Sequence, residues 1–296
     1  MDSVPITCHP YISENIKIEK FNKPYNYAII DNFFTEEIYN KLCKKFPLLI
    51  EKTDKPAGNI GASDNFYDAF IYGLKEEDCS EGYDFFIQEI YKNFISELFD
   101  VELNQHVALS VHFHKGSSEK PSRDGWSHAD LSICSAINDK NKKIKLTGID
   151  CDYQDDSKNL QPKTSKIVRQ IAIIYYLNNK TSLEEKDGGG TGVYESYDLK
   201  SFVKEVKPVN NRLFAFEVCP HSYHGFIGAK FDRSAIVHWF HSDPNYLLKR
   251  NLDAFKKRKK ETGLFFERWK KEELYDLEQS PTFFQYFNTN LNNLLT

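Results

Sequence analysis

The spacing of apolar residues changes period along this chain, and each change marks a different kind of element. Up to residue 100 they recur at steps of three and four. TEEIYNKLCKKF carries Ile38, Tyr39, Leu42 and Phe46 at helical spacing, with Thr35 placed to cap the first turn. Ile87, Ile90, Tyr91, Phe94, Ile95 and Leu98 form a second, stronger stripe, predicting a helix that lays one face on a sheet and turns its charges outward. Ahead of both, YNYAIIDNFF (25–34) reads as a strand running into a turn, and 52–66 reads as loop. After residue 105 the period falls to two. HVALSVHFH (106–114) alternates as a half-buried strand does, and further strands are predicted at 127–134, 168–178, 192–196, 212–218, 222–228 and 233–241. Turns, not long helices, join them, so the expected core is an antiparallel sandwich or barrel. Beyond Pro244 the pattern returns to helix.

This organisation implies a mainly β protein with flanking helices (α+β), read as a single domain over 1–296. Residues 1–104 form strand and helix support and 105–242 the β core. A polar insert occupies 134–167, and 243–296 form a C-terminal helical extension. With one Met against 23 Phe and 17 Tyr, the core is aromatic and aliphatic. A formal net charge of -4 supplies no general field for nucleic acid or an anionic membrane, and neither is expected as a partner. The basic run KKRKK (256–260) is offset by Glu261, Glu267, Glu272 and Glu273 and reads as a solvated helix face. No apolar run reaches membrane-spanning length, and the N-terminus lacks the basic-then-apolar pattern of a secretion signal. The six cysteines are scattered with no C-x-x-C pair, which points to reduced thiols and a cytoplasmic protein; Cys219 reads as a buried thiol. In the tail 281–296, Phe283, Phe284, Tyr286, Phe287, Leu291 and Leu294 need burial. They are expected to find it on the chain's own core or in a homodimer through this C-terminal segment.

Two stretches carry candidate chemistry. In GWSHADLSI (125–133), His128 and Asp130 stand two residues apart, so on a strand they would share a face. Imidazole and carboxylate together suit Fe(II), Mn(II) or Zn(II). Alone, such a pair is a common accident. The second stretch, EVCPHSYHGFIGAKFDRSAIVHWF (217–240), adds His221 and His224 before a turn and Arg233 at the start of an apolar strand. A cation beside a metal site opposes the metal and needs a reason. A dianionic co-substrate supplies one, chelating the metal at one end and taking two parallel hydrogen bonds from the guanidinium at the other.

In these residues the chain resembles the Fe(II)/2-oxoglutarate-dependent dioxygenases, specifically their prolyl-4-hydroxylase-like branch. The likeness rests on His128 and Asp130, IIYYLNN (173–179), DGGGTGVY (187–194) and the closing H-G-F…R-S-A-I, and covers 105–242 with a looser match at IIDNFF. It implies a double-stranded β-helix (jelly-roll) core with Fe(II), 2-oxoglutarate and O2 as cofactor and co-substrates. The implied reaction is hydroxylation of an unactivated C–H with release of succinate and CO2. The metal ligands it implies are His128, Asp130 and His224, because the family places its distal histidine nine residues before its arginine; His221 lies twelve before. Arg233 would hold the far carboxylate, with Tyr176 as a second contact or else a core aromatic. An aspartate at 130 argues against the related halogenases, which have a small residue there. A tyrosine usual on the strand before H-x-D is missing. VHFHKG stands in its place, leaving one contact to be assigned among His112, Phe113 and His114.

The substrate is expected to be a small molecule or peptide: a polar metabolite, amino acid, sugar or peptidyl proline. Asp150, Asp152, Asp155 and Asp156 in the insert would suit a cationic one, or form only a solvated acidic loop. Two rival classes use the same residues: a cupin-like Zn or Mn hydrolase or isomerase, and a non-catalytic metal- or ligand-binding barrel. DGGGTGVY lacks a P-loop lysine and marks a close backbone approach rather than a phosphate cradle.

Overall fold

A computed structural model describes residues 6–53, 69–119, 125, 127–131, 133–137, 144–147 and 164–262. In chain order the regular elements begin with β1 (Lys17–Phe21), β2 (Tyr27–Asp31), α1 (Glu36–Ile50), β3 (Ala69–Gly73), α2 (Glu89–Phe99) and β4 (His106–His114). There follow β5 (Ile133–Ile137), β6 (Lys145–Leu146), β7 (Thr164–Tyr176), β8 (Thr191–Tyr194), β9 (Phe202–Val206) and β10 (Arg212–Glu217). The series closes with β11 (His224–Phe226), β12 (Arg233–Ser242), α3 (Pro244–Arg250) and α4 (Leu252–Thr262). Two sheets form. The large one runs β1-β2-β10-β7-β12-β4-β3 with β5 and β6 attached, and the small one runs β11-β8-β9. They face each other as an open jelly-roll sandwich, and among the described residues they do not merge into one closed barrel.

The central strands read as unbroken apolar runs because both of their faces are buried. On β7, Ile171, Ile173 and Tyr175 face a core shared with the helices, while Ala172, Ile174 and Tyr176 face the small sheet. On β10, Leu213 and Ala215 turn one way and Phe214 and Phe216 the other. The helices cover the outer face. Thr35 caps α1 by accepting from the Ile38 amide, and Ile38, Leu42, Phe46 and Leu49 of α1 pack with Tyr91, Ile95 and Phe99 of α2. The inner face is where the two sheets meet, and it holds the site.

Several expectations need correction. The predicted strand 127–134 does not form: His128 makes one isolated bridge, Asp130 has φ +57°, and regular pairing starts only at Ile133. The 134–167 insert is also not wholly irregular, since β5, β6 and the first residues of β7 lie within it. β1, β3 and β9 were not foreseen; the first two extend the large sheet at its edges. Most of the 52–66 loop, the acidic residues of the insert and the tail 281–296 lie outside the described residues. No helix among the described residues is long and apolar enough to cross a membrane. Lys256, Lys257 and Lys260 of the basic run are exposed, as a solvated face requires.

The glycines of DGGGTG mark a close backbone approach. Gly188, at φ +66° and ψ −144°, bridges Ala229 in the turn between His224 and Arg233, and a Cβ there would stand 2.1 Å from the Gly228 carbonyl oxygen. That conformation belongs essentially to glycine alone. Gly188→Ala should therefore lower stability by about 2–4 kcal/mol, read as a drop in the urea midpoint. An unchanged midpoint would mean the two turns are not held together here.

Burial also sets an acid limit. His112, His238 and His241 are pushed down to about 3, chiefly by desolvation. An unfolded histidine titrates near 6.5, so below that pH the unfolded chain binds more protons and stability must fall with acidification. The urea midpoint is expected to hold above about pH 6.5 and decline steadily toward pH 4. A flat profile over that window would show that these imidazoles are not buried in solution.

Candidate metal and co-substrate site

His128 and His224, far apart in sequence, become direct neighbours through a reciprocal backbone pair. Each amide donates to the other's carbonyl at 2.9 Å. Residues opposed in this way send their side chains to the same face, and the two imidazole centroids lie 4.3 Å apart. Asp130 joins them by a different route from the pleat that its spacing suggested. Its left-handed backbone, tolerated by aspartate better than by most residues, folds the carboxylate back toward His128. Ser222 ties this kink to the opposite turn, its hydroxyl oxygen 3.1 Å from the Ala129 carbonyl oxygen while it accepts from the Cys219 amide.

One donor atom each from His128, Asp130 and His224 falls within a 4.8 Å cluster. His128 Nε2 lies 3.4 Å from Asp130 Oδ1, and His224 Nε2 lies 3.7 Å from Asp130 Oδ2. Donors at right angles around one ion, each about 2.1 Å from it, stand about 3 Å apart, so the three fit a single first-row metal with open positions opposite. The tautomer of His224 is fixed as well. Its Nδ1 lies 3.0 Å from the Ser222 carbonyl, which can only accept, so Nδ1 carries the proton and Nε2 is left bare for a metal. Burial, then the neighbouring His128, push His224 down to about 4, so it is neutral near pH 7. His221 is exposed, 3.6 Å from the Cys219 thiol, and is not part of the cluster.

Two residues of the site went unnoticed in the sequence. Arg169 donates to Asp130 Oδ1 at 3.2 Å, and Trp239 Nε1 donates to Asp130 Oδ2 at 2.6 Å. The Arg169 guanidinium also lies 4.1 Å from the Trp239 ring centroid, a cation–π contact that locks both donors. Burial would raise the Asp130 pKa, but Arg169, then His128 and His224, overcome it and hold the carboxyl well below the usual range. The signal was available: a charged residue in the apolar run IVRQIAIIYYL and an inward Trp in AIVHWF both need a polar partner.

At the other end of the pocket, Arg233 is 3% exposed, and its Nε has no hydrogen-bond partner. Its guanidinium lies 5.2 Å from the Tyr176 ring and 5.3 Å from the Phe226 ring. No carboxylate among the described residues forms an ion pair with it. Tyr176 is fully buried and shares a 2.6 Å hydrogen bond with Thr191 of the small sheet. Asn179, in the IIYYLNN segment, clamps the start of β12 by accepting from the Ser234 amide and donating to the Ser234 carbonyl. Phe226 follows His224 by two residues on β11, about 7 Å of strand. Arg233 lies beside that Phe226 ring, on the same inner side as the cluster.

His112, His114 and Phe113 separate by face. Phe113 packs toward the helix-side core, whereas His112 bonds Ser110 at 2.9 Å and His114 stacks on Phe226 at 4.3 Å, both on the inner face.

Residues 148–241 match the family described as the 2OG-Fe(II) oxygenase superfamily. That span contains His224, Arg233, Arg169, Tyr176 and Trp239 but begins after His128 and Asp130, which the geometry adds. Among curated protein sequences none matches the chain. Solved structures with a similar course include a Pseudomonas putida prolyl-4-hydroxylase (15% identity, 72% of this chain and 91% of that one, TM-score 0.46). Another is a Trichoplax adhaerens prolyl hydroxylase in complex with a hypoxia inducible factor oxygen degradation domain peptide (15%, 77% and 86%, TM-score 0.48). A third is the viral collagen prolyl hydroxylase of Paramecium Bursaria Chlorella virus-1 (14%, 73% and 96%, TM-score 0.40). At such identities and scores, the site's own geometry has to carry any functional reading.

If Trp239 and Arg169 orient Asp130 toward a metal, Trp239→Phe should weaken Mn(II) or Fe(II) binding about 10- to 100-fold while leaving the thermal midpoint nearly in place. Anaerobic calorimetry measures both. Unchanged affinity would reduce the indole to packing.

Proposed function

We propose that the chain, whose residues 148–241 match the 2OG-Fe(II) oxygenase superfamily, is an Fe(II)- and 2-oxoglutarate-dependent hydroxylase. Its proposed substrate is an unactivated C–H of a polar small molecule, amino acid, sugar or peptidyl proline. One observation carries the reading. A buried arginine with no acidic partner among the described residues and a His-Asp-His cluster both lie on the inner side of the sandwich. Leaving a buried charge unpaired costs several kcal/mol, so the fold has reason to keep it only for an anion that arrives from outside. A zinc or manganese hydrolase gives Arg233 nothing to do, and so does a barrel that holds metal only for structure.

In this reading His128, Asp130 and His224 would hold iron on one face. Bound iron and 2-oxoglutarate would supply O2 activation and oxidative decarboxylation, yielding succinate and CO2. The protein's own part is positional. The Ser222 carbonyl keeps the bare nitrogen of His224 forward. Arg169 and Trp239 keep Asp130 ionised and aimed. Arg233 takes the far carboxylate of the co-substrate through paired N–H groups, beside the Tyr176–Thr191 hydrogen bond. Ile174, Val237 and Phe214 form an apolar wall that excludes water along the way, which strengthens each of those contacts. His128 is the open side: its side chain is 30% exposed against 6% for His224, so the reacting C–H would approach there.

The test is succinate release from 2-oxoglutarate by the Fe(II)-loaded protein on admitting O2. His224→Ala should abolish it, and Arg233→Ala should raise the 2-oxoglutarate KM about 100-fold or more. Turnover that survived Arg233→Ala at unchanged KM would sink the assignment.

A further inference from the structure

We propose that His114 is the second protein donor to the far carboxylate of the dicarboxylate co-substrate, acting beside Arg233; this rests on the co-substrate reading above. The register of the large sheet pairs Arg233 of β12 directly with His114 of β4. Opposed residues of an antiparallel pair project to one face with their Cβ atoms about 5 Å apart, so the guanidinium and the imidazole open onto the same space. Both are seated on one ring. His114 stacks on Phe226 with centroids 4.3 Å apart and planes at 21°, and the Arg233 guanidinium carbon lies 5.3 Å from that centroid.

What singles out His114 is the lack of a partner. Four other histidines have one: His112 holds Ser110, His224 the Ser222 carbonyl, His238 the Tyr91 hydroxyl (its Nδ1 is also unpaired, among Phe86, Tyr91 and Phe240) and His241 the His106 carbonyl. His114 makes no hydrogen bond among the described residues, and its Nδ1 is buried without one. A buried polar group left unpaired is costly, and here it lies across the ladder from Arg233, whose Nε is in the same condition. An anion between the strands relieves both.

The charge state suits that role. Burial, then Arg233, then His112 hold the His114 pKa well below its usual value, so the ring is neutral with one N–H to give. Iron(II), Arg169, Arg233, Asp130 and a dianionic co-substrate sum to a formal charge of +1, and a neutral donor adds a hydrogen bond without adding a further cation. His112 is excluded because its Nε2 is engaged by Ser110, which itself donates to the Val237 carbonyl. Phe113 faces the helix-side core. The contact left open by VHFHKG is thereby assigned to its second histidine, at the end of β4.

The experiment titrates 2-oxoglutarate into the full-length, Mn(II)-loaded protein by calorimetry, with no turnover required. His114→Phe keeps a ring on Phe226 but has no N–H, and should raise Kd about tenfold or more. His114→Gln restores a donor and should recover most of the loss. Mn(II) affinity should not move in either variant. A His114→Phe protein binding within twofold of wild type, while Arg233→Ala loses binding, would show that His114 only packs. Failure of the wild type itself to bind 2-oxoglutarate would overturn the co-substrate reading instead, and this proposal with it. A second measurement needs no variant. In the Zn(II)-loaded wild type, the imidazole 15N shifts of His114 should move on adding 2-oxoglutarate as one tautomer becomes fixed, and shifts that stayed still would overturn the proposal.

Discussion

A cation buried without a counter-ion is the constraint around which this fold is arranged. Arg233 sits at the start of a central strand, 3% exposed, between two aromatic rings and opposite an imidazole, with no described carboxylate paired to it. Such a group persists only if its surroundings over-determine its position, and they do. Asn179 clamps the next residue's backbone from one side. Gly188 holds the 227–229 turn from the other. The strand itself is hydrogen-bonded to β7 and β4 along its length. In the proposed function, an entering anion would recover the cost of leaving the guanidinium without a counter-ion and turn it into binding selectivity.

Asp130 presents the complementary case, a buried anion that is heavily compensated. Arg169 and Trp239 occupy both of its oxygens, and two imidazoles approach the same carboxylate. A metal ligand held this firmly gains orientation and loses some donor strength, since the cation of Arg169 competes with the ion for the same charge. The cation–π contact to Trp239 seats Arg169 beside the same carboxylate. The two ends of the pocket are thus electrically opposite before any ligand arrives, with an arginine that wants an anion and a carboxylate already partly neutralised. A metal and a dicarboxylate together satisfy both ends better than either does alone.

The sequence made the His128–Asp130–His224 cluster legible for a reason that was only half right. His128 and Asp130 do converge, yet the pleat does not bring them together; a left-handed aspartate does. Periodicity could not show this, because the two routes place the same pair of residues two apart. Unbroken apolar runs marked β7, β10 and β12, whose two faces are both buried. Neither runs nor alternation marked β1, β3 and β9, short edge strands of five residues that are mostly exposed or half-buried and have no strong period. Arg169 and Trp239 escaped for another reason. Neither lies within two residues of a ligand, and only the tertiary crossing of β7 and β12 behind the kink brings them to Asp130.

That crossing explains why the two halves of the site depend on each other. β12 carries Arg233 at one end and Trp239 near the other, so a single strand positions both the proposed co-substrate anchor and a donor to the Asp130 carboxylate. β7 does the same with Tyr176 and Arg169. A slip of one residue between these strands would reverse the face of every side chain on one of them, separating the arginine from its aromatic seat and the carboxylate from its donors together. The irregularity that the pairing does contain, at Phe240/His241, falls beyond Trp239 and beside Arg169. There it changes which face the lower end of β7 presents, and it brings Arg169 inward without disturbing Tyr176.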